Sequence, residues 1–213
     1  VEVVKRRLEW LTHKIHLQEC QKFYGLSDVK ENVAKRVKAN DKAQKVMPKA
    51  KKRAQLILRF PFVKAVFISG SLSRHVMPDD GDVDFFVITA PNRLWIARIL
   101  LTLYKKVILL NSRKFFCINY YVTSNALQIE EQNLFTATEI VTAIPVDSKD
   151  WHRHFLNANT WVKTYYSINP IPTETSEEPM SSSTAFNWLW NGLDTLSMNM
   201  TKLKWKNKFS YRS

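Results

Sequence analysis

Four glycines serve the whole 213-residue chain, and two of them, Gly70 and Gly81, fall inside one stretch running from Phe67 to Thr89. An apolar, β-branched run, Val63 to Ser69, leads into Gly70-Ser71. Ten residues follow, and then Asp82-Val83-Asp84 opens a second apolar run that ends at Thr89. Chain punctuated in this way reads as strand, tight turn or short helix, strand. Side chains alternate along a strand, so Asp82 and Asp84 share a face. Two carboxylates that close repel each other unless protons or a cation neutralise them. Phe85, Phe86, Val87 and Ile88 follow directly, so Asp84 stands where the strand becomes buried on both faces and needs a partner.

The residue types define a chemistry. A glycine at a strand end lets backbone approach a ligand closely. The following Ser hydroxyl and backbone N–H groups suit terminal phosphates. A carboxylate pair suits Mg²⁺ or Mn²⁺, which take oxygen ligands and complete their shell with phosphate and water. Together they lay out a metal–triphosphate site of the kind used for phosphoryl or nucleotidyl transfer. A second reading also stands: Pro78-Asp79-Asp80-Gly81 is good turn chemistry, and Asp82 then only ends the turn.

Gly-Ser, ten residues and Asp-x-Asp entering an apolar strand resembles the nucleotidyltransferase signature of the DNA polymerase beta-like superfamily. The resemblance covers about residues 60–125, and the whole chain is similar to stand-alone bacterial nucleotidyltransferase-domain proteins. It implies a Mg²⁺- or Mn²⁺-dependent enzyme that moves a nucleoside monophosphate from an NTP, ATP among them, to an acceptor hydroxyl. Asp82 and Asp84 would be the catalytic metal ligands, Gly70 and Ser71 would bind nucleotide phosphates, and Ser73 and Arg74 are further contributors.

Catalytic members of the superfamily usually carry a third carboxylate on the next strand. Here that strand reads Phe115-Phe-Cys-Ile-Asn-Tyr-Tyr-Val122, with Asn119 at its polar centre. Asn offers a carbonyl oxygen to a metal but is no general base at neutral pH. Glu130, Glu131 and Glu139 are candidate substitutes. The alternative is a catalytically degenerate module that binds nucleotide or nucleic acid without turnover. A toxin-paired minimal nucleotidyltransferase fits less well, because this chain is much longer than a minimal domain.

Charge bears on the acceptor. The net charge is +13 and unevenly placed: residues 1–60 carry sixteen Lys/Arg against six Asp/Glu, residues 201–213 carry five with no acid, and the middle is slightly acidic. Basic ends favour a polyanionic acceptor such as RNA, and Lys49, Lys52 and Arg53 are expected to border the cleft. The competing reading is a solvated basic face. Arg74 and His75, in the spacer, are expected at phosphates or at the plain surface. Neither His13 with His16 nor His152 with His154 completes a metal site. Trp188, Trp190 and Trp205 read as a base-stacking surface or as a core stripe.

The expected fold class is α+β: a small mixed sheet with packed helices. A basic helical module (1–59) precedes the core (60–125), and a helical extension (126–166), a Pro/Ser/Thr-rich linker (167–184) and a C-terminal helix (185–213) follow. Apolar spacing predicts a helix up to Gly25, a second capped by Ser27, and a third starting at Pro48. Further helices are expected over Asn92–Leu110, Leu134–Ala143 and Asp150–Tyr166. Leu94–Leu110, interrupted by Arg98, Lys105 and Lys106, is expected as a buried helix and not a membrane span. Cys20 and Cys117 have no ligand spacing and read as reduced thiols of a cytoplasmic protein. The first residues have no signal-peptide pattern, and the start at Val1 reads as that of a piece of a longer protein.

Overall fold

The computed structural model describes residues 2–14, 17–109, 115–167 and 192–202. The Trp-rich segment's Trp188, Trp190 and Trp205, the side chain of His13, His16 and nearly all of the 167–184 stretch lie outside what it describes. The fold is α+β. Four strands, β3 (Val63–Ser69), β4 (Asp84–Thr89), β5 (Cys117–Thr123) and β6 (Ile144–Val146), form a mixed sheet in the order β5-β4-β3-β6. β4 runs antiparallel to β3, with Ser69 opposite Asp84, and parallel to β5.

Period-two alternation sends the two central strands into two cores. Val66, Ile68, Phe85 and Val87 face one way, against α2 (Val29–Leu58) and Leu101 of α4 (Leu94–Val107). Ala65, Phe67, Phe86 and Ile88 face the other way, against α5 (Leu134–Thr142) and Phe155 of α6 (Lys149–Ala158). Both faces are therefore covered, which explains the unbroken apolar run after Asp84.

The N-terminal third differs from expectation. The first helix, α1, covers Glu2–Lys14, and an antiparallel hairpin follows, β1 (Gln18–Cys20) with β2 (Phe23–Gly25). Gly25 pairs with Gln18 and does not cap a helix. Gln21 and Lys22 both take positive φ, which is the geometry of a two-residue hairpin turn. Neither residue type signals it. Asp28, not Ser27, precedes α2, and α2 runs through Pro48 as one helix of 30 residues. An interior proline costs about 3 kcal/mol. Here Ala43, Ala50, Ala54 and Ile57 bury a continuous stripe against the sheet, which offsets that cost, while Pro48 faces solvent.

Other boundaries shift for tertiary reasons. Asn92 is not the cap of α4, which begins at Leu94; Asn92 itself takes a positive φ. The orphan N–H of Ile96 instead donates to Oδ1 of buried Asp194, at 2.9 Å, in a helical stretch over 192–202. A carboxylate suits a helix N-terminus. α5 starts after Asn133, whose side chain accepts the Thr136 N–H. The expected helix to Tyr166 stops at Ala158, and a 3-10 segment, Thr160–Thr164, continues the chain. Asn159, 1% exposed, breaks it: Oδ1 accepts the Ile129 N–H, and Nδ2 donates to the Leu127 and Phe155 carbonyls. No helix among the described residues is long and apolar enough to cross a membrane.

His152 lies on α6 beside Phe67, ring centroids 5.9 Å apart, and its Nε2 is buried without a partner among the described residues. Burial pushes its pKa below the ordinary histidine value. The folded state therefore favours the neutral ring, so stability is full above about pH 6.5, the unfolded value, and falls as pH drops through the lower folded value. His152→Phe keeps the ring packing and removes the titration. Thermal melts from pH 7.5 to 5 should show a smaller loss of Tm in this variant than in the wild type.

Candidate active site

Gly70 ends β3 with φ +68°, a conformation that favours glycine, and opens the single helical turn α3 (Gly70–Ser73). The absence of a side chain is also a matter of space. A Cβ there would lie 3.2 Å from Asp84 Cβ and Cγ and would overlap Oδ2. The Asp84 carboxylate thus rests directly on the Gly70 backbone, at the head of the central strand pair.

Three influences act on Asp84. Partial burial pushes its pKa up, hydrogen bonds from its neighbours pull it down, and the negative charges of Asp82 and Glu139 push it up again, with a net rise. The closest of these bonds comes from Asn119 Nδ2 to Asp84 Oδ1, at 2.7 Å. Cys117 Sγ in turn donates to Asn119 Oδ1, at 3.1 Å, which sets the amide's orientation. Burial likewise raises the Cys117 thiol's pKa. Asp82 does not open the strand as expected; it lies in the loop before β4 and makes no hydrogen bond or ion pair among the described residues. Its charge still reaches Asp84.

On the other side stands Glu139 of α5. Its Oε2 accepts the Gly70 N–H at 3.0 Å, and its Oε1 accepts from Arg74 Nη1 at 2.6 Å. An internal carboxylate thus engages the backbone N–H and the guanidinium expected to meet a phosphate. Any phosphate bound there would have to compete with Glu139 for both donors. The same contact removes Glu139 as a free third acid.

Gly70, Asp84, Asn119 and Glu139 lie on the wall of a cavity of about 540 Å³, which Ser71 and Arg74 also line, whereas Asp82 and Cys117 do not line it. Ser71 makes no side-chain hydrogen bond among the described residues. Ser73 does not line the cavity; it is 6% exposed and donates to the Gly70 carbonyl, so it braces the turn. His75 is exposed and off the cavity. Of the other acids, Glu131 lies on the wall and Glu130 does not. Among the described residues, no group of three or more His, Cys, Asp or Glu side chains is gathered to hold a metal.

The basic helix is not where its charge suggested. α2 covers the sheet face opposite the one bearing Asp84 and Phe86, so Lys49, Lys52 and Arg53 do not border the cavity. The apolar stripe decides the placement, because Ala50, Ala54 and Ile57 must face the first core. Farther back on α2, Lys38 and Lys42 hold Asp79 in the spacer loop at 2.9 and 3.4 Å. Those ion pairs are largely exposed and anchor the loop only weakly.

The sequence reading missed the aromatic wall: Phe86, Tyr120, Phe135 and Phe155. Phe86 was within reach, because strand alternation places it on Asp84's face, and the parallel register then brings Tyr120 beside it. Phe135 and Phe155 arrive from helices with no local signal. No protein-family model, curated protein or solved structure matches this chain.

Proposed function

We propose that the protein is a Mg²⁺- or Mn²⁺-dependent nucleotidyltransferase that passes a nucleoside monophosphate from an NTP to an acceptor hydroxyl. The observation that carries this reading is Asp84 seated on the Gly70 backbone in the wall of an open cavity, with the charge of Asp82, in the preceding loop, acting on it. Asp82 and Asp84 would hold the metal, and Asn119 can offer Oδ1 once its amide turns. All three are oxygen donors, and the raised Asp84 pKa marks a carboxylate whose charge a cation would stabilise. A pair without a third acid suits a metal that arrives with its nucleotide and is completed by phosphate oxygens. When bound, the metal supplies charge neutralisation on the phosphates and activation of the acceptor hydroxyl.

This chain's own residues bind and orient. Ser71 and the freed Gly70 N–H and Arg74 would take the terminal phosphates, and the turn braced by Ser73 would hold them in line. The acceptor oxygen forms a bond to the α-phosphorus as the α–β bridge breaks, pyrophosphate leaves, and the acceptor's proton passes to solvent at the cavity mouth. The placement of Lys49, Lys52 and Arg53 favours a small-molecule acceptor over RNA. Titration calorimetry with a non-hydrolysable NTP tests the reading. Binding should require Mg²⁺ or Mn²⁺; equal binding in excess chelator would refute a metal role.

One observation favours the second reading, binding without turnover. Asn119 donates to Asp84 and supplies no base. Asn119→Asp separates the two. Without metal it loses that donor and adds a like charge, which should lower Tm by about 2–4 °C for each kcal/mol lost. Mg²⁺ or Mn²⁺ should restore the Tm and increase transfer. Restored Tm with no transfer would support the non-catalytic module.

A further inference from the structure

Resting on the nucleotidyl-transfer reading, we infer that the acceptor is a small alcohol with an apolar body, whose hydrocarbon part fills the lobe beyond Asp84 while its hydroxyl turns toward the carboxylates. The cavity is divided. One part of its wall is polar, where Gly70, Arg74, Asp84, Asn119 and Glu139 meet; Ser69, Ser71, Thr136 and Glu131 also line it, and the Glu131 charge acts on Tyr120. Its floor is Phe86, Ile129, Ile140, Ala143 and Phe155, each at most 8% exposed and none with a side-chain hydrogen-bonding group. Tyr120 stacks on Phe86, centroids 5.7 Å apart at 18°, and extends the apolar wall outward. Phe135, 72% exposed, stands at the rim.

The floor discriminates between occupants. The backbone of β4 is committed to strand ladders on both sides, and the Ile129 N–H to Asn159. A sugar or nucleobase seated on the five floor residues finds no partner among them, and each of its polar groups that Glu131, Thr136 or the Tyr120 hydroxyl does not reach costs roughly tenfold in affinity. A hydrocarbon leaves nothing unpaired and gains about three- to fourfold for each buried methylene. The volume of about 540 Å³ leaves room for such a body beside the phosphate end. RNA, with polar edges throughout, matches this lobe poorly, and among the described residues Arg74 alone of the Lys and Arg side chains lines the cavity.

The test uses the full chain in two arms. In the first, without NTP or metal, the uncharged apolar dye N-phenyl-1-naphthylamine is displaced by primary alcohols from ethanol to octanol, and by glycerol, uridine and a short RNA. Affinity should rise about threefold per methylene until the lobe is full. Phe135→Ser, at an exposed position, should weaken octanol binding about tenfold with Tm unchanged, and Ala143→Val should shorten the preferred alcohol. Affinity independent of chain length, or uridine or RNA binding tighter than hexanol, overturns the inference. In the second arm, label is followed from an α-phosphate-labelled NTP with Mg²⁺ to each acceptor. Transfer should follow the alcohol series. Equal transfer to glycerol or to RNA overturns the acceptor class alone. Length-dependent alcohol binding with no transfer from any of the four NTPs, in either metal, overturns the transfer reading and the acceptor role with it.

Discussion

Asp84→Asn is expected to abolish metal-dependent NTP binding and to lower transfer by about 10³-fold or more, the equivalent of about 4 kcal/mol of charge stabilisation. The change removes charge and almost no volume. The amide introduced by the substitution can still accept from Asn119 through its carbonyl oxygen, so the geometry at the head of β4 persists. The fold should not suffer. The carboxylate is half-buried and repelled by Asp82 and Glu139, and its loss relieves both penalties. Tm should therefore stay within about 2 °C of wild type or rise slightly. Calorimetry with a Mg²⁺–NTP analogue, paired with thermal melts, checks both halves. Wild-type affinity in the variant would refute the proposed metal role of Asp84.

Gly70→Ala attacks the same contact from the opposite side and should cost stability as well as function. The left-handed φ of +68° costs about 1–3 kcal/mol for alanine, and the new methyl overlaps Asp84 Oδ2. The carboxylate cannot stay where it is. A loss of about 2 kcal/mol corresponds to about 4–8 °C in Tm for a chain of this size. A displacement of about 1 Å at a catalytic group costs about 10²-fold in rate. Asp84→Ala in the Gly70→Ala background removes the overlapping oxygen and should recover part of the lost Tm but none of the activity. No Tm recovery in the double variant would show that backbone strain alone accounts for the cost.

The central motif was legible because its information is local. Val63–Ser69 forms a strand with the bounds its composition suggested, and Asp84 stands where the apolar run turns inward on both faces. What escaped depends on partners far along the chain. Glu139 reaches Gly70 and Arg74 from more than sixty residues away, and Asn159 ends α6 because it serves Leu127 and Ile129. β6, with Pro145 inside it, is a strand only because the edge of β3 accepts it. The basic run of α2 shows the opposite limit. Its charge was plain in the sequence, but the alanine stripe decided which way it faced.

The most direct measurement compares two labels on one nucleotide. The protein, Mg²⁺ and a hexanol-class acceptor are incubated with an NTP labelled at the α-phosphate, and in parallel with one labelled at the γ-phosphate. Asp82 and Asp84 acting with the Gly70-Ser71 turn predict acceptor labelled from the α position alone, pyrophosphate released in equal amount, and silence in Asp84→Asn. Label arriving from the γ position, or transfer undiminished in Asp84→Asn, would contradict nucleotidyl transfer at this site.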